Sequence, residues 1–95
     1  MDWRTTERAE ADLAEIEIYG TRTYGRRRAQ DYVDDLFAAL SALAGNPRIV
    51  RERPEIAPGL RLYRFRAHYV LYRIDDEGVL VLSIMGARQE FKEYL

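Results

Sequence analysis

Arginines and aromatic residues are interleaved in the second half of this 95-residue chain, and they are the side chains best suited to chemistry. Guanidinium groups bind phosphates and carboxylates, and aromatic rings stack on bases. The pattern therefore indicates a surface for an acidic or phosphate-bearing partner. The alternative is a sheet whose rings lie inward while its arginines keep the outer face soluble. The set comprises Arg61, Tyr63, Arg64, Phe65, Arg66, Tyr69, Tyr72 and Arg73.

Patterns typical of catalysis or cofactor binding are missing from the sequence. The chain has no cysteine, so it offers no thiolate nucleophile, disulfide or cysteine-bound zinc. It has no glycine-rich phosphate loop, and its one histidine, His68, falls in a predicted turn, where we expect it to be exposed. Ser41 and Ser83 have no candidate base nearby in the sequence. We therefore predict no catalytic residue, no cofactor and no metal.

Charge is unevenly distributed along the chain. Residues 1–45 hold six basic and nine acidic residues, residues 46–74 hold seven and two, and residues 75–95 hold two and five, although the net charge is only −1. The middle segment is therefore the basic one. All basic residues except Lys92 are arginine, which suits bidentate binding of carboxylate or phosphate, although a codon-biased genome would give the same excess.

Two amphipathic helices must position these side chains. Thr6 is a suitable N-cap for a helix that starts at Glu7 and ends at Gly25. A second helix is predicted over residues 26–44, where apolar residues recur every three or four positions. A proline-containing loop of residues 46–59 follows.

Three strands are predicted after the loop, over residues 60–66, 69–75 and 78–84, with short turns between them. Residues 2–5 could add a fourth strand, and residues 87–95 a short C-terminal helix or tail. We predict an α+β fold of order β-α-α-β-β-β, in which a helix hairpin packs on a twisted antiparallel sheet.

Length and composition indicate one folded domain over residues 1–95, since 47% of the residues are apolar and a second core would have too little surface to bury. No apolar run approaches the roughly 20 residues of a membrane span, and the N-terminus lacks the apolar stretch of a signal peptide. We therefore expect a cytoplasmic protein with no membrane partner.

Four short segments together resemble the ParE branch of the RelE/ParE superfamily of toxins. The resemblance covers nearly the whole chain, and it depends on the order and spacing of the segments because each one is short. The segments are residues 6–13 (TERAEADL), residues 58–61 (PGLR) followed by Tyr63, residues 69–73 (YVLYR) and residues 84–88 (IMGAR).

The resemblance implies the toxin of a type II toxin–antitoxin system. ParE-like toxins poison DNA gyrase and are neutralised by a ParD-like antitoxin encoded alongside, so nucleic acid would be met only through antitoxin or gyrase. The fold of the family is similar to the one predicted above. With the basic and aromatic pattern, the resemblance suggests Arg61, Tyr63, Arg73 and Arg88 as the residues that contact the target.

The RelE branch, whose members cleave mRNA on the ribosome, is the first alternative. Tyr69 stands where that branch often has a catalytic arginine, and Met85 where many relatives have histidine, which argues against cleavage. An arginine-based site from Arg64, Arg66, Arg88 and Tyr94 would still be conceivable. A second alternative is an interaction module of the same fold that is not toxic.

The helix hairpin carries more aromatic residues than one packed face can hide. We expect an amphipathic antitoxin helix to lie against them, with its acidic residues meeting arginines of the basic segment. The alternative is that these rings complete the ordinary core. The predicted antitoxin-binding residues are Tyr19, Tyr24, Tyr32, Phe37, Arg51, Arg53 and Arg64.

Overall fold

The computed structural model describes residues 2–87 and has two helices on one face of a four-stranded sheet. The predicted α+β class and element order are confirmed. Arg88 and the predicted C-terminal helix or tail lie outside the described residues. The elements are β1 (Asp2–Thr5), α1 (Glu7–Tyr24), α2 (Arg26–Gly45), β2 (Arg61–Phe65), β3 (His68–Asp75) and β4 (Gly78–Gly86).

The helix hairpin has the limits that the sequence predicts to within one residue. The hydroxyl of Thr6 accepts a hydrogen bond from the backbone N–H of Ala9 at 3.1 Å, which caps α1. Gly25 alone separates the two helices, and its φ of +92° is a conformation that favours glycine. The helices therefore fold back on each other through a very short turn.

The sheet is mixed, whereas the sequence predicts an antiparallel one. Its strand order is β1-β4-β3-β2, and the β2–β3–β4 meander is antiparallel as predicted. β1, however, pairs in parallel with β4, with Asp2 opposite Gly78 and Thr5 opposite Val81. The helix hairpin lies between β1 and the meander in the chain, so the direction of β1 depends on a pairing that local sequence patterns do not reveal.

Both faces of the sheet carry a hydrophobic core, but the two cores differ in size. A large core lies between the helices and the sheet and contains apolar residues of α1, α2, β3 and β4. A smaller core of Leu60, Leu62, Leu71 and Met85 lies on the other face, where Ile56 of the loop packs against it. We call this second side of the sheet the open face, because no helix of the described chain covers it.

The long loop is fastened to the sheet by three polar contacts. The Tyr72 hydroxyl, fully buried under the helices, donates to the carbonyl of Pro47 at 2.6 Å. The Arg61 guanidinium donates to the carbonyl of Val50 at 2.6 Å, and the N–H of Arg53 donates to the carbonyl of Leu60 at 2.6 Å. The loop therefore has a fixed path along the β2 edge.

Candidate functional site

A groove of about 1170 Å³ runs between the hairpin and one end of the sheet. Its walls are residues 12–24 of α1, residues 28–32 of α2 and the sheet end where β2 turns into β3 and β4 finishes. We call it the tyrosine groove, because three tyrosines line it. Its lining residues are Asp12, Glu15, Ile16, Tyr19, Gly20, Tyr24, Arg28, Ala29, Tyr32, Arg64, Ala67, His68, Ile84, Gly86 and Ala87.

Large aromatic surface is exposed at the hairpin end of the tyrosine groove. Tyr19 and Tyr24 are 64% and 59% exposed, and their rings meet edge to face with centroids 6.5 Å apart. Gly20 lies so close to α2 that an added Cβ would sit 3.2 Å from the Cβ of Ala29. The helices are therefore in tight contact here, and the tyrosine rings remain outside that contact.

A histidine and a tyrosine are joined on the sheet side of the groove. The Tyr32 hydroxyl lies 2.6 Å from Nδ1 of His68, and the two rings meet at a steep angle. Burial lowers the pKa of His68, so this imidazole is neutral near pH 7 and its Nδ1 can accept the tyrosine proton. Burial also raises the pKa of Tyr32. The expectation that His68 is an exposed turn residue is wrong, because His68 begins β3 and packs against α2.

Arginines stack on rings beside this pair. The guanidinium of Arg66 lies over the rings of Tyr32 and Phe65, 5.7 and 4.9 Å from their centroids, and also pairs with Asp35 at 2.9 Å. Arg64 lies over the ring of Tyr69 at 5.2 Å and donates to the carbonyl of Arg66. Arg64 therefore belongs both to the groove wall and to the open face.

The predicted antitoxin-binding residues separate into two groups. Tyr19, Tyr24, Tyr32 and Arg64 all line the tyrosine groove.

The remaining three predicted residues lie elsewhere. Phe37 packs on Trp3 of β1, with centroids 5.6 Å apart, because its place on α2 faces the sheet edge. Arg51 and Arg53 reach Glu55 within their own loop, at 3.4 and 2.8 Å.

The predicted target-contact residues do not form one surface. Side chains alternate between the two faces of a strand, so Arg61 and Tyr63 of β2 point to the helix side, where Arg61 holds the loop and Tyr63 packs on the large core. Arg73 is exposed on the open face, where its stem lies 3.9 Å from an added Cβ at Gly59. Arg88 is outside the described residues.

Arg28 and His68 also line the groove, although neither is among the predicted binding residues. Arg28 lies in an arginine run at the start of α2, where the positive end of the helix dipole disfavours cations. This unfavourable position for folding is the sequence feature that indicates a binding role for the run. His68 gave no signal, because its partner Tyr32 is 36 positions away.

Within residues 2–87 no group of three or more histidine, cysteine, aspartate or glutamate side chains could hold a metal ion. In the same part of the chain, neither helix has the length and apolar character that crossing a membrane requires.

Comparisons with known proteins agree on one family. Residues 4–91 match the model of the family described as ParE toxin of type II toxin-antitoxin system, parDE. The chain is 34% identical over 83 residues to Toxin ParE1 of Mycobacterium tuberculosis, covering 86% of this chain and 85% of that protein. It is 33% identical over 87 residues to Toxin ParE of Escherichia coli, with coverages of 90% and 84%.

A solved structure has the same fold. The chain superimposes on a structure described as the chromosomal ParDE TA system from P. aeruginosa with a TM-score of 0.79. The match covers 90% of this chain and 95% of that one at 23% identity.

Proposed function

Because the chain belongs to the ParE family of toxins of type II toxin–antitoxin systems, we propose that it poisons DNA gyrase and that a ParD-like antitoxin neutralises it. The toxin role comes from the family. The choice of gyrase over the ribosome is supported chiefly by one pair of residues on the open face, and the antitoxin by the tyrosine groove.

Tyr69 and Met85 are that pair, and they are register partners on β3 and β4. They stand where the RNA-cleaving RelE branch often has arginine and histidine. Metal-free RNA cleavage needs groups that move protons and cations that stabilise the phosphorane charge. The Met85 thioether carries no proton and is only 3% exposed within the smaller core. This composition favours a toxin that acts by binding.

The open face supplies a contact surface for such a target. Arg73 is exposed there, and the guanidinium of Arg64 lies over the Tyr69 ring at the other end of the same face. Gyrase trapped on broken DNA presents acidic protein and phosphate groups, which arginines bind well. Of the predicted target-contact residues within the described chain, Arg73 fits this role best.

The tyrosine groove supports the antitoxin part of the proposal. Exposed Tyr19 and Tyr24 give an apolar wall, and an amphipathic helix laid in such a groove buries its own apolar face. Large exposed rings of this kind mark binding surfaces more often than scattered apolar residues do.

Gyrase supercoiling of plasmid DNA tests the proposal directly. We expect the purified protein to produce linear DNA that appears after protease treatment, and an Arg73→Ala variant to produce less. Arg48→Ala, which removes an exposed arginine of the loop, is the matched control.

Normal supercoiling by gyrase in the presence of the folded protein would contradict gyrase as the target. Cleavage of mRNA on purified ribosomes would then move the protein to the RelE mode of action. Failure of ParD-like proteins to bind the folded chain would contradict the antitoxin part separately.

A further inference from the structure

The turn of the helix hairpin carries four exposed arginines. Arg22 lies in the last turn of α1, and Arg26, Arg27 and Arg28 form the first turn of α2. Gly25 alone separates the two helices, and packed helices lie about 8–10 Å apart, so the four side chains belong to one end of the hairpin. We call these four residues the arginine tip.

The guanidinium groups of the arginine tip have no partner in the described part of the chain. Among residues 2–87, none of the four forms an ion pair, donates a side-chain hydrogen bond or stacks on a ring. Residues 18–30 include no acidic residue, and the positive end of α2 disfavours cations in its first turn. The position of the arginine tip therefore suits a ligand better than it suits folding.

The composition of the hairpin turn favours a phosphate backbone over a protein surface. Residues 21–28 (TRTYGRRR) are all exposed and include no valine, leucine, isoleucine or methionine. Protein–protein interfaces centre on such apolar anchors, whereas protein–DNA interfaces are more polar and much more positively charged. Arginine, threonine and tyrosine side chains all donate hydrogen bonds to phosphate oxygens. Seven of the eight residues of this segment can therefore contact phosphates.

The shape of the hairpin end favours a duplex over a single strand. Proteins hold single strands by stacking the bases on aromatic rings. The one ring of residues 21–28 belongs to Tyr24, and it already meets the ring of Tyr19 edge to face at 6.5 Å. A duplex presents its backbone to a projecting end, and about 10 Å of duplex carries about six negative charges. That number is enough for all four arginines to bind at once.

The other basic part of the chain is less available to a polyanion. Residues 46–74 are also net basic, but five of their seven arginines already have partners. Three of the five pair with carboxylates and two donate to backbone carbonyls. These five are Arg51, Arg53 and Arg66, and Arg61 and Arg64. The arginine tip is therefore the stronger site for a backbone of phosphates.

We propose that the arginine tip binds the phosphate backbone of double-stranded DNA without reading its sequence. This inference goes beyond the proposed function, in which the toxin meets DNA only through gyrase or the antitoxin. The tip belongs to the helix hairpin, and the open face is on the other side of the sheet. The chain can therefore contact a duplex with its hairpin while the open face contacts gyrase.

The salt dependence of DNA binding is the first test. The full chain is titrated into a fluorescent duplex of random sequence, about 20 base pairs long, and the anisotropy is followed between about 50 and 200 mM KCl. We expect the logarithm of the association constant to fall against the logarithm of the salt concentration with a slope of about −3 to −4, because four phosphate contacts release counterions. A slope shallower than about −1, or no binding by the folded chain, would overturn the inference.

Single substitutions locate the contact. We expect Arg26→Gln and Arg27→Gln each to make the slope shallower by about one and to weaken binding about fivefold near 100 mM salt. Arg48→Gln is the matched control, because it removes the same charge from an exposed position of the loop, and it should change the affinity less than twofold. Equal losses in the three variants would mean that net charge and not the arginine tip binds DNA.

The stability of the same variants excludes a structural role. Because cations are unfavourable at the start of α2, Arg26→Gln and Arg27→Gln should unfold at urea concentrations no lower than the parent protein does. Earlier unfolding would show that these arginines serve the fold, and it would overturn the argument from their position.

Amide spectra and alternative ligands complete the test. We expect duplex DNA to shift the signals of residues 21–28 most, and largest shifts within residues 46–74 would overturn the assignment of the site. A single strand or an RNA duplex of the same length that binds more tightly would overturn the choice of duplex DNA. A glutamate-rich peptide that binds more tightly than the duplex would show that the tip serves an acidic protein instead.

Gyrase poisoning by the same samples separates this inference from the proposed function. Poisoning by a chain that shows no salt-dependent binding to DNA would reject the inference alone. Binding of DNA at the arginine tip together with normal supercoiling by gyrase would contradict the gyrase target and leave the inference standing.

Discussion

Asp12 connects α1 to the sheet through a single carboxylate. One of its oxygens accepts from both the Ser83 hydroxyl and the N–H of Ile84, and Ser83 is only 1% exposed. Replacing Asp12 by alanine leaves two donors with no acceptor at a part-buried position. We expect Asp12→Ala to lower the free energy of unfolding by about 1–3 kcal/mol in urea titrations followed by circular dichroism.

Glu17→Ala is the control for this contact. Glu17 lies on the same helix and is exposed, so its loss should change the free energy of unfolding by no more than about 0.5 kcal/mol. Equal effects of the two substitutions would mean that the Asp12 carboxylate contributes nothing beyond helix propensity.

His68 makes the stability of the fold depend on pH. Burial holds its pKa below the usual value of about 6.5, so the unfolded chain binds its proton more readily than the folded chain does. Stability from this residue is therefore complete above pH 6.5 and decreases as the pH falls through that value towards the folded pKa.

The matching variant is His68→Gln, which keeps an acceptor for the Tyr32 hydroxyl without titrating. We expect the midpoint of urea unfolding to fall between pH 7.5 and pH 5.5 in the parent protein by more than it does in the variant. The exposed carboxylate of Asp75 titrates at lower pH, since its hydrogen bond with Arg4 keeps the pKa of Asp75 below its usual range. Parallel pH profiles would refute the assignment.

At the scale of elements, β1 depends on one glycine. Gly78 has a φ of +120°, and a Cβ added to it would overlap the carbonyl oxygen of Asp2, its partner on β1. Arg4 secures the same strand by bonding both carboxylate oxygens of Asp75 at 2.6 Å. Gly78→Ala therefore forces β1 away from β4.

We expect Gly78→Ala to lower the free energy of unfolding by about 2 kcal/mol or more, since strain and lost pairing add together. Hydrogen exchange should show reduced protection of the β1 amides. The control is Gly45→Ala at the end of α2, where an added Cβ meets no atom within 4 Å and alanine favours the helix. Retained protection of β1 in Gly78→Ala would contradict this role of the glycine.

The elements themselves could be predicted from the sequence because their signals are local. The Thr6 cap, the Gly25 break and the strand-forming residues of β2 and β3 each involve a few neighbouring positions, and all three are found. The parallel pairing of β1 with β4 was not predictable in this way, because its partner residues are 76 positions apart. Local patterns determine the helices and strands, and long-range packing determines which of them lie side by side.

At the scale of the whole molecule, the candidate site follows the same division. Tyr19 and Tyr24 were predictable because they exceed what one packed helix face can bury, and they line the groove. Phe37 satisfies the same criterion but packs on Trp3, a contact that only the position of β1 creates. The faces of Arg61 and Arg73 likewise depend on strand register, so sequence grouped residues that the fold separates.

The separation of the tyrosine groove from most of the open face predicts that two binding functions can be lost independently. Tyr19 lies only in the groove and Arg73 only on the open face, with the sheet between them. We expect Tyr19→Ala to weaken antitoxin binding about tenfold, as loss of a large aromatic contact does, while gyrase poisoning persists. Arg73→Ala should reduce trapped linear DNA and leave antitoxin affinity within twofold.

Arg64 is the exception that makes this prediction sharp. Because it belongs to both the groove wall and the open face, Arg64→Gln should impair both activities. Antitoxin affinity is measured by titration calorimetry and poisoning by the linear DNA recovered after protease treatment, on the same protein samples. If Tyr19→Ala and Arg73→Ala each impaired both functions in folded samples, antitoxin and target would share one surface, and neutralisation would be direct competition for it. Independent losses, with Arg64→Gln alone affecting both, would instead mean that the antitoxin reaches the target surface only at the Arg64 edge of the sheet.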